Sequence, residues 1–237
     1  MSNIVGIIPA RGGSQSVQKK NIRIFHGKPL IAWTIECALA SSLDRVIVST
    51  NDDEIKDVAL KYGAEVPFIR PDDLSDSYSG LEPVLKHTYE YLKEVEKYEA
   101  DILILLLPTS PFRRVEDINR ALKIYKKNEV TSVVSVVKAE ANMNPHWMLV
   151  EGLSGIELFN GKTLTNIMDR RQELPDVYMR NDFVYVLNPA NLFESKSNLY
   201  GDSVSLLKIS EHRYDIDINS EKDFSVAETI FKNLENF

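Results

Sequence analysis

Apolar and polar positions along the chain alternate between short hydrophobic runs and helical spacings, in the order strand, helix, strand, helix. Residues 4–8 form an apolar run that stops at Pro9 and predicts a strand. Pro29 then suits the first turn of a helix. In it Leu30, Trp33, Thr34, Cys37 and Ala38 share one face, which places Trp33 and Cys37 in the core. Residues 45–49 predict a second strand. Asn51, Asp52, Asp53 and Glu54 predict the acid-rich first turn of a helix with Ile55, Val58, Ala59 and Tyr62 inward and Gly63 at its end. Residues 66–69 give a further extended piece, and Leu81, Val84, Leu85, Thr88 and Leu92 mark the next helix.

The run at 102–107 is six consecutive apolar residues, the pattern of a strand covered on both faces, as in parallel sheets. It ends in Pro108-Thr109-Ser110-Pro111. A helix over 115–127 and a strand over 131–137 follow. From 139 to 182 the period is broken by Pro145, Gly152, Gly155, Gly161 and Pro175, predicting an excursion with short strands of its own and an association surface. Strand character resumes at 183–187, 204–209 and 214–218, and a helix over 220–234 carries Phe224, Ala227, Ile230, Phe231 and Leu234 inward. The alternation predicts an α/β fold with a mostly parallel sheet, in a single domain spanning 1–237. Ligands of such sheets collect beyond the carboxyl ends of the strands, so the segments after Ile8, Ser49 and Leu107 are expected to converge on one cleft.

Charge changes the picture at one end. The whole chain has 35 acids against 28 bases, yet residues 1–35 carry Arg11, Lys19, Lys20, Arg23 and Lys28 and no acid. A cationic patch after the first strand of a net-acidic protein points to a local anion site. The strand breaks into Gly12-Gly13, where backbone N–H groups can turn toward one anion. Arg11 adds a planar fork of donors suited to phosphate oxygens and Lys20 a mobile point charge. An ordinary turn with solvated lysines accounts for a bare Gly-Gly. The coincidence of strand, glycines, Arg, Lys and missing acids favours a triphosphate cradle instead. It is neither a Walker A loop nor Gly-x-Gly-x-x-Gly.

Composition excludes several classes. Cys37 stands alone, so no intramolecular disulfide framework exists, and no basic leader precedes a long apolar run. No apolar run approaches the roughly 18 residues that span a bilayer. With a formal charge of -7 and no basic stripe, neither nucleic acid nor a membrane is expected as a partner, and the cytoplasm is the expected compartment. The four histidines show no paired ligand spacing.

Asp215 and Asp217, two apart in an extended context, put both carboxylates on one face with Ile216 and Ile218 on the other. An edge strand with an acidic face accounts for Asp-x-Asp in isolation. Opposite a phosphate cradle, the pair suits Mg²⁺, or Mn²⁺, with nucleotide phosphates completing the shell. There is no Gly-x-Ser-x-Gly elbow, and Cys37 falls on a predicted buried face, so no protein nucleophile is available. An anion cradle, metal-binding carboxylates and no nucleophile together describe nucleotidyl transfer.

Ile7-Ile8-Pro9-Ala10-Arg11-Gly12-Gly13-Ser14, Lys20-Asn21, Gly27-Lys28-Pro29-Leu30-Ile31, Val46-Ile47-Val48-Ser49-Thr50, Pro108-Thr109-Ser110-Pro111, Arg171-Gln172-Glu173-Leu174-Pro175 and Ile216-Asp217 run in order over nearly the whole chain. This set resembles the acylneuraminate cytidylyltransferases, the CMP-sialic acid synthetases and their relatives for other nine-carbon keto sugar acids. The resemblance implies a three-layer Rossmann-like nucleotidyltransferase fold and transfer of CMP from CTP to the anomeric hydroxyl of a 2-keto-3-deoxy sugar acid, releasing pyrophosphate. Carried across, Ala10, Arg11, Gly12, Gly13, Ser14 and Lys20 would meet the triphosphate, with Arg11, Lys20 and Asp217 the catalytic residues. Asn21 and Arg70 would hold the cytidine, with a further nucleotide contact at Ser79 or Gly80. Thr109, Ser110, Arg171 and Asn181 would face the sugar acid or phosphate, and Asp215 and Asp217 would bind the metal. A homodimer is implied, with the 139–182 excursion reaching over the partner's cleft.

Three departures stand out. Gln15-Ser16-Val17-Gln18 replaces the family's usual Lys-Gly-Ile-Pro, Leu107 replaces a common Gln before Pro-Thr-Ser-Pro, and Asn181-Asp182 replaces Asn-Gly. Two of these fall on the acceptor side and leave the identity of the sugar open. Two alternatives stand beside the leading reading: an Asp-x-Asp transferase using a nucleotide sugar, and a nucleotide-binding homologue without turnover.

Overall fold

The computed structural model describes residues 2–13, 16–76, 80–152, 155–194, 198–210 and 216–235. The apolar run at the start forms β1 (Ile4–Pro9), followed by two short strands, β2 (Ile24–Phe25) and β3 (Lys28–Pro29), that pair with each other. Then come α1 (Leu30–Leu39), β4 (Arg45–Ser49), α2 (Asp53–Lys61), α3 (Leu81–Glu94), β5 (Ile102–Leu105), α4 (Val115–Asn128) and β6 (Ser132–Lys138). A separate hairpin, β7 (Leu149–Gly152) with β8 (Gly155–Leu158), lies in the predicted excursion. The chain closes with β9 (Tyr178–Leu187), β10 (Val204–Ile209) and α5 (Glu221–Glu235).

Six strands form one sheet in the order β10-β6-β9-β5-β1-β4. Only β9 runs antiparallel to its neighbours, β5 and β6. Side chains alternate across each strand, and both faces are covered. On one face Ile4, Ile8, Val46, Val48, Ile102 and Ile104 pack with Leu30, Ile31 and Ile35 of α1, Ile55 of α2, Ile118 of α4 and Phe224 of α5. On the other, Val5, Ile7, Ile47, Leu103 and Leu105 pack with Leu85, Tyr89 and Leu92 of α3. This is the expected three-layer α/β arrangement.

Several local expectations are corrected. Trp33 and Cys37 are half-buried, while Ile31, Ala32 and Ile35 of α1 are fully buried. Residues 66–69 form no strand. The covering of the β4 edge is made instead by Glu65, whose backbone bonds to Val46 and Val48 at 2.8 Å, and Pro67 has no N–H with which to extend it. The expected strand at 214–218 is absent over 216–218, and Asp215 lies outside the described residues. There the Ile218 N–H donates to the Thr109 carbonyl at 3.0 Å, so the segment is pinned to a loop rather than to a ladder. β9 begins at Tyr178, inside the stretch assigned to the excursion.

Candidate active site

The carboxyl ends of β1 and β5 open on a cavity of about 460 Å³. The loop after β1 contributes Arg11, Ser16, Lys20 and Asn21, and the loop after β5 contributes Leu107, Pro108 and Thr109. Asp217 and Asn219 close it from the segment before α5. A smaller adjoining cavity of about 140 Å³ shares Arg11 and Leu81 and adds Arg70 and Gly80. The segments after β1 and β5 thus converge as expected from parallel-sheet topology.

The loop after β1 is tied down by its backbone. Ala10 is buried and donates to the Ser49 carbonyl at 2.9 Å, and Gly12 donates to Asn51 Oδ1 at 3.1 Å. Neither Gly12 nor Gly13 takes a positive φ; among the described residues of the loop the left-handed one is Lys19, at φ 49°. Gly12 is needed for space, since a Cβ there would lie 2.5 Å from Asp52 Oδ2, whereas Gly13 faces open space. Asp52 is fixed in turn, because its Oδ1 caps α2 by accepting from the Ile55 N–H at 3.0 Å.

Three cations face these cavities. Burial lowers the pKa of Lys20, the Asp217 carboxylate opposes that shift, and Arg11 reinforces it. Arg70 is buried and donates through Nε to Ser75 Oγ at 2.9 Å. Burial first, and the like charge of Arg11 second, push it down to about 10, so it remains a cation at neutral pH. Two guanidinium groups and an ammonium arranged in this way favour an anionic occupant. Asn21, also buried, holds the loop by donating to the Arg11 carbonyl at 3.0 Å.

Asp217 is the counterpart acid. Its Oδ2 accepts from Asn219 Nδ2 at 2.6 Å, while Oδ1 is buried without a hydrogen-bond partner among the described residues. An orphaned carboxylate oxygen beside a cationic cradle is a hard oxygen donor suited to a divalent cation. Asn219 was missed in the sequence, although its place two residues beyond Asp217 is the signal that an amide could orient that carboxylate. The Cys37 thiol is pushed up to about 11, chiefly by burial, which leaves it inert as a nucleophile.

Three other expected site residues, Ser110, Asn181 and Arg171, are not part of this cavity's lining. Ser110 is fully buried, with Oγ donating to the Asp182 carbonyl at 3.4 Å. Asn181 is buried on β9, with neither of its amide atoms hydrogen-bonded. Arg171 is not brought to the Lys20 cavity. It lines a separate cavity of about 390 Å³ with Lys138, Tyr178 and Lys208. Ser14, Ser79 and Asp215 lie outside the described residues.

A family model described as cytidylyltransferase matches residues 5–195. The chain belongs to the cytidylyltransferase family. It is 34% identical over 232 residues to a CMP-N,N'-diacetyllegionaminic acid synthase of Legionella pneumophila, covering 97% of this chain and 96% of that one. It is 35% identical over 173 residues to a pseudaminic acid cytidylyltransferase of Campylobacter jejuni, covering 73% and 72%. Among solved structures, CMP:2-keto-3-deoxy-manno-octonic acid synthetase complexed with CTP superposes with a TM-score of 0.72. That match covers 98% of this chain and all of the other at 17% identity, a likeness of fold. As a cytidylyltransferase the chain is a nucleotidyl-transferring enzyme, which favours the leading reading over a transferase that uses a nucleotide sugar. Among the described residues no helix is long and apolar enough to cross a membrane.

Proposed function

We propose that this cytidylyltransferase transfers CMP from CTP to the anomeric hydroxyl of a nine-carbon 2-keto-3-deoxy sugar acid of the sialic acid type, releasing pyrophosphate. The observation that carries the reading is the cavity in which Arg11 and Lys20 face Asp217, whose Oδ1 lacks a partner. Family membership and the sugar-acid substrates named for the relatives supply the chemistry to which that geometry is matched.

Arg11 and Lys20 receive the triphosphate, with Ser14 and the backbone of Ala10, Gly12 and Gly13 alongside. Arg70, Asn21 and the 79–80 segment hold the nucleoside. The acceptor lies toward Leu107, Thr109 and Asn181. Its hydroxyl oxygen attacks the α-phosphorus in line, the bond to the β-phosphate bridging oxygen breaks, and the hydroxyl proton leaves to solvent or to pyrophosphate. Negative charge grows on the phosphoryl oxygens during this step, and the cations stabilise it without reorganising. Asp217, whose Oδ1 lacks a partner among the described residues, would hold Mg²⁺ together with Asp215, and the ion would supply charge neutralisation and alignment of the phosphates.

The working unit is a homodimer in the cytoplasm. Supporting the dimer are the exposed Leu149, Ile156 and Phe159 of the hairpin region and the Arg171 cavity, which shares no lining residue with the Lys20 cavity. Across a dimer, Arg171 reaches the acceptor of the other subunit.

The direct test is pyrophosphate release with each of the four nucleoside triphosphates across sialic, legionaminic, pseudaminic and Kdo-type acids. Release is expected with CTP and at least one nine-carbon acid. No release with CTP and any acceptor overturns the reading.

A further inference from the structure

Arg113 is an unremarkable basic residue in the sequence, yet its guanidinium is enclosed in the protein interior. It makes no hydrogen bond to a carboxylate among the described residues. Its donors go to neutral oxygens on three segments. Nη2 donates to the Leu107 carbonyl at 2.7 Å and, more weakly, to the Asp182 carbonyl at 3.5 Å. Nη1 donates to Thr34 Oγ1 of α1 at 3.0 Å, and Nε to the Phe183 carbonyl.

A buried cation is costly unless its donors are satisfied, so the arrangement calls for an explanation. The acceptors supply it. Leu107 opens the loop carrying Thr109 and Ser110, and Asp182 and Phe183 follow Asn181 directly. At Asp182 the strand kinks, with φ at 49° for a residue that has a side chain. The kink coincides with a register shift against β6 between Val134 and Val136. Ser110 Oγ also donates to the Asp182 carbonyl, and the Tyr185 hydroxyl donates to the Asp182 carboxylate. A planar fork with five donors can hold both segments at once, which the three donors of a lysine on a flexible stem cannot reproduce.

We propose that Arg113 is a positioning residue for the acceptor: it fastens the 107–110 loop to the kink at Asp182, so that Thr109 and Asn181 meet the sugar acid as one preformed unit. The proposal rests on the acceptor reading given above. It also accounts for the Asn181 amide, which is buried beside the clamp with no hydrogen-bond partner among the described residues. Arg11 and Arg70 make no hydrogen bond to this clamp among the described residues, and Lys20 is linked to it only at one remove, through Ile218, whose N–H donates to the Thr109 carbonyl.

The test compares Arg113→Lys and Thr34→Val with the native enzyme by three measurements. These are hydrogen exchange of the 107–110 and 181–184 amides without substrate, CTP affinity by calorimetry without acceptor, and KM and kcat for the acceptor. For Arg113→Lys, both segments are expected to exchange faster together, with acceptor KM raised roughly tenfold to a hundredfold and CTP affinity changed by clearly less than that. Thr34→Val, which removes one anchor and keeps the guanidinium, is expected to shift both readouts in the same direction by less. An unchanged acceptor KM in folded Arg113→Lys overturns the proposal. So does a fall in CTP affinity matching the change in acceptor KM, or faster exchange spread over the whole sheet. If Arg113→Lys does not fold, Thr34→Val decides by the same criteria. A native enzyme that releases no pyrophosphate with any acid overturns the proposed function instead, and the exchange data still judge the clamp.

Discussion

Lys20 Nζ donates to the carbonyl of Ile218 at 2.8 Å, joining residues 198 positions apart. A few residues along on either side, Arg23 makes a two-oxygen ion pair with Glu221 at 2.7 Å and lies 4.1 Å from the centre of the Phe224 ring. The ion pair is partly exposed and contributes at most about 1 kcal/mol. Its main effect is geometric: the cradle after β1 and the segment bearing Asp217 are held as one body. A change at Lys20 therefore acts on charge and on alignment together.

Lys20→Ala is expected to lower kcat/KM for CTP by about a hundredfold to a thousandfold, the range for losing one preorganised donor to a developing oxyanion. The pH dependence has a definite sign. Burial holds the Lys20 pKa below 10.5, and the cation is the form that meets phosphate. Activity should therefore decline as pH rises toward that lowered value, earlier than an ordinary lysine would allow. The contribution to stability runs the other way. Between the lowered value and 10.5 the unfolded chain holds more protons, so rising pH favours the fold at this site. Initial-rate pyrophosphate assays across alkaline pH check the first sign, and an alkaline limb unchanged in Lys20→Arg would sink it.

Asp217→Asn keeps the shape of the side chain but removes the charge from the oxygen that has no partner. The Mg²⁺ concentration for half-maximal activity is expected to rise at least about tenfold, since changing even an outer-shell partner of a metal ligand costs about that much. Calorimetric titration of Mg²⁺ into enzyme with CTP and no acceptor should show the same loss. A native-like titration would remove Asp217 from the metal site.

How far the sequence carries can be judged at particular residues. The run at 102–107 is legible because a strand covered on both faces needs continuous apolar side chains, and residues 102–106 are all buried. Arg11, Lys20 and Asp217 are legible as a group because their chemistry is unusual in combination. The strand at 214–218 misleads because alternation reports one buried edge, here Ile218, and cannot say whether a neighbouring strand or a loop accepts the backbone bonds. Asp182 hides the start of β9, since three polar residues, Arg180, Asn181 and Asp182, interrupt the period where the strand kinks. Arg113 has no sequence signal at all: only the three segments that converge on it distinguish it from a surface arginine.

Arg70 is a buried cation that bears the like charge of Arg11. Replacing such a group by an apolar side chain of similar length removes a desolvation penalty. Arg70→Met is expected to raise the stability of the substrate-free enzyme by about 1–2 kcal/mol while weakening CTP binding about tenfold or more. Thermal unfolding and calorimetry separate the two effects. A variant that binds CTP as tightly as the native enzyme would take Arg70 out of the nucleotide site.

The dimer prediction turns on where Arg171 acts. Leu149, Ile156 and Phe159 are 55%, 51% and 62% exposed, a concentration of apolar surface on the small hairpin region that is unusual for a surface facing only water. Ile156→Glu should convert a species of twice the chain mass into one of the single chain mass in sedimentation, with the far-ultraviolet spectrum unchanged. Complementation then tests the site itself. Arg171→Ala and Asp217→Asn are each expected to be nearly inactive alone. Mixed in equal amounts and allowed to exchange subunits, half of the dimers carry one chain of each kind. If Arg171 serves the partner's cavity, one of the two sites in each mixed dimer is intact, and activity returns to about a quarter of native. If Arg171 serves its own chain, every site keeps one lesion and no activity returns.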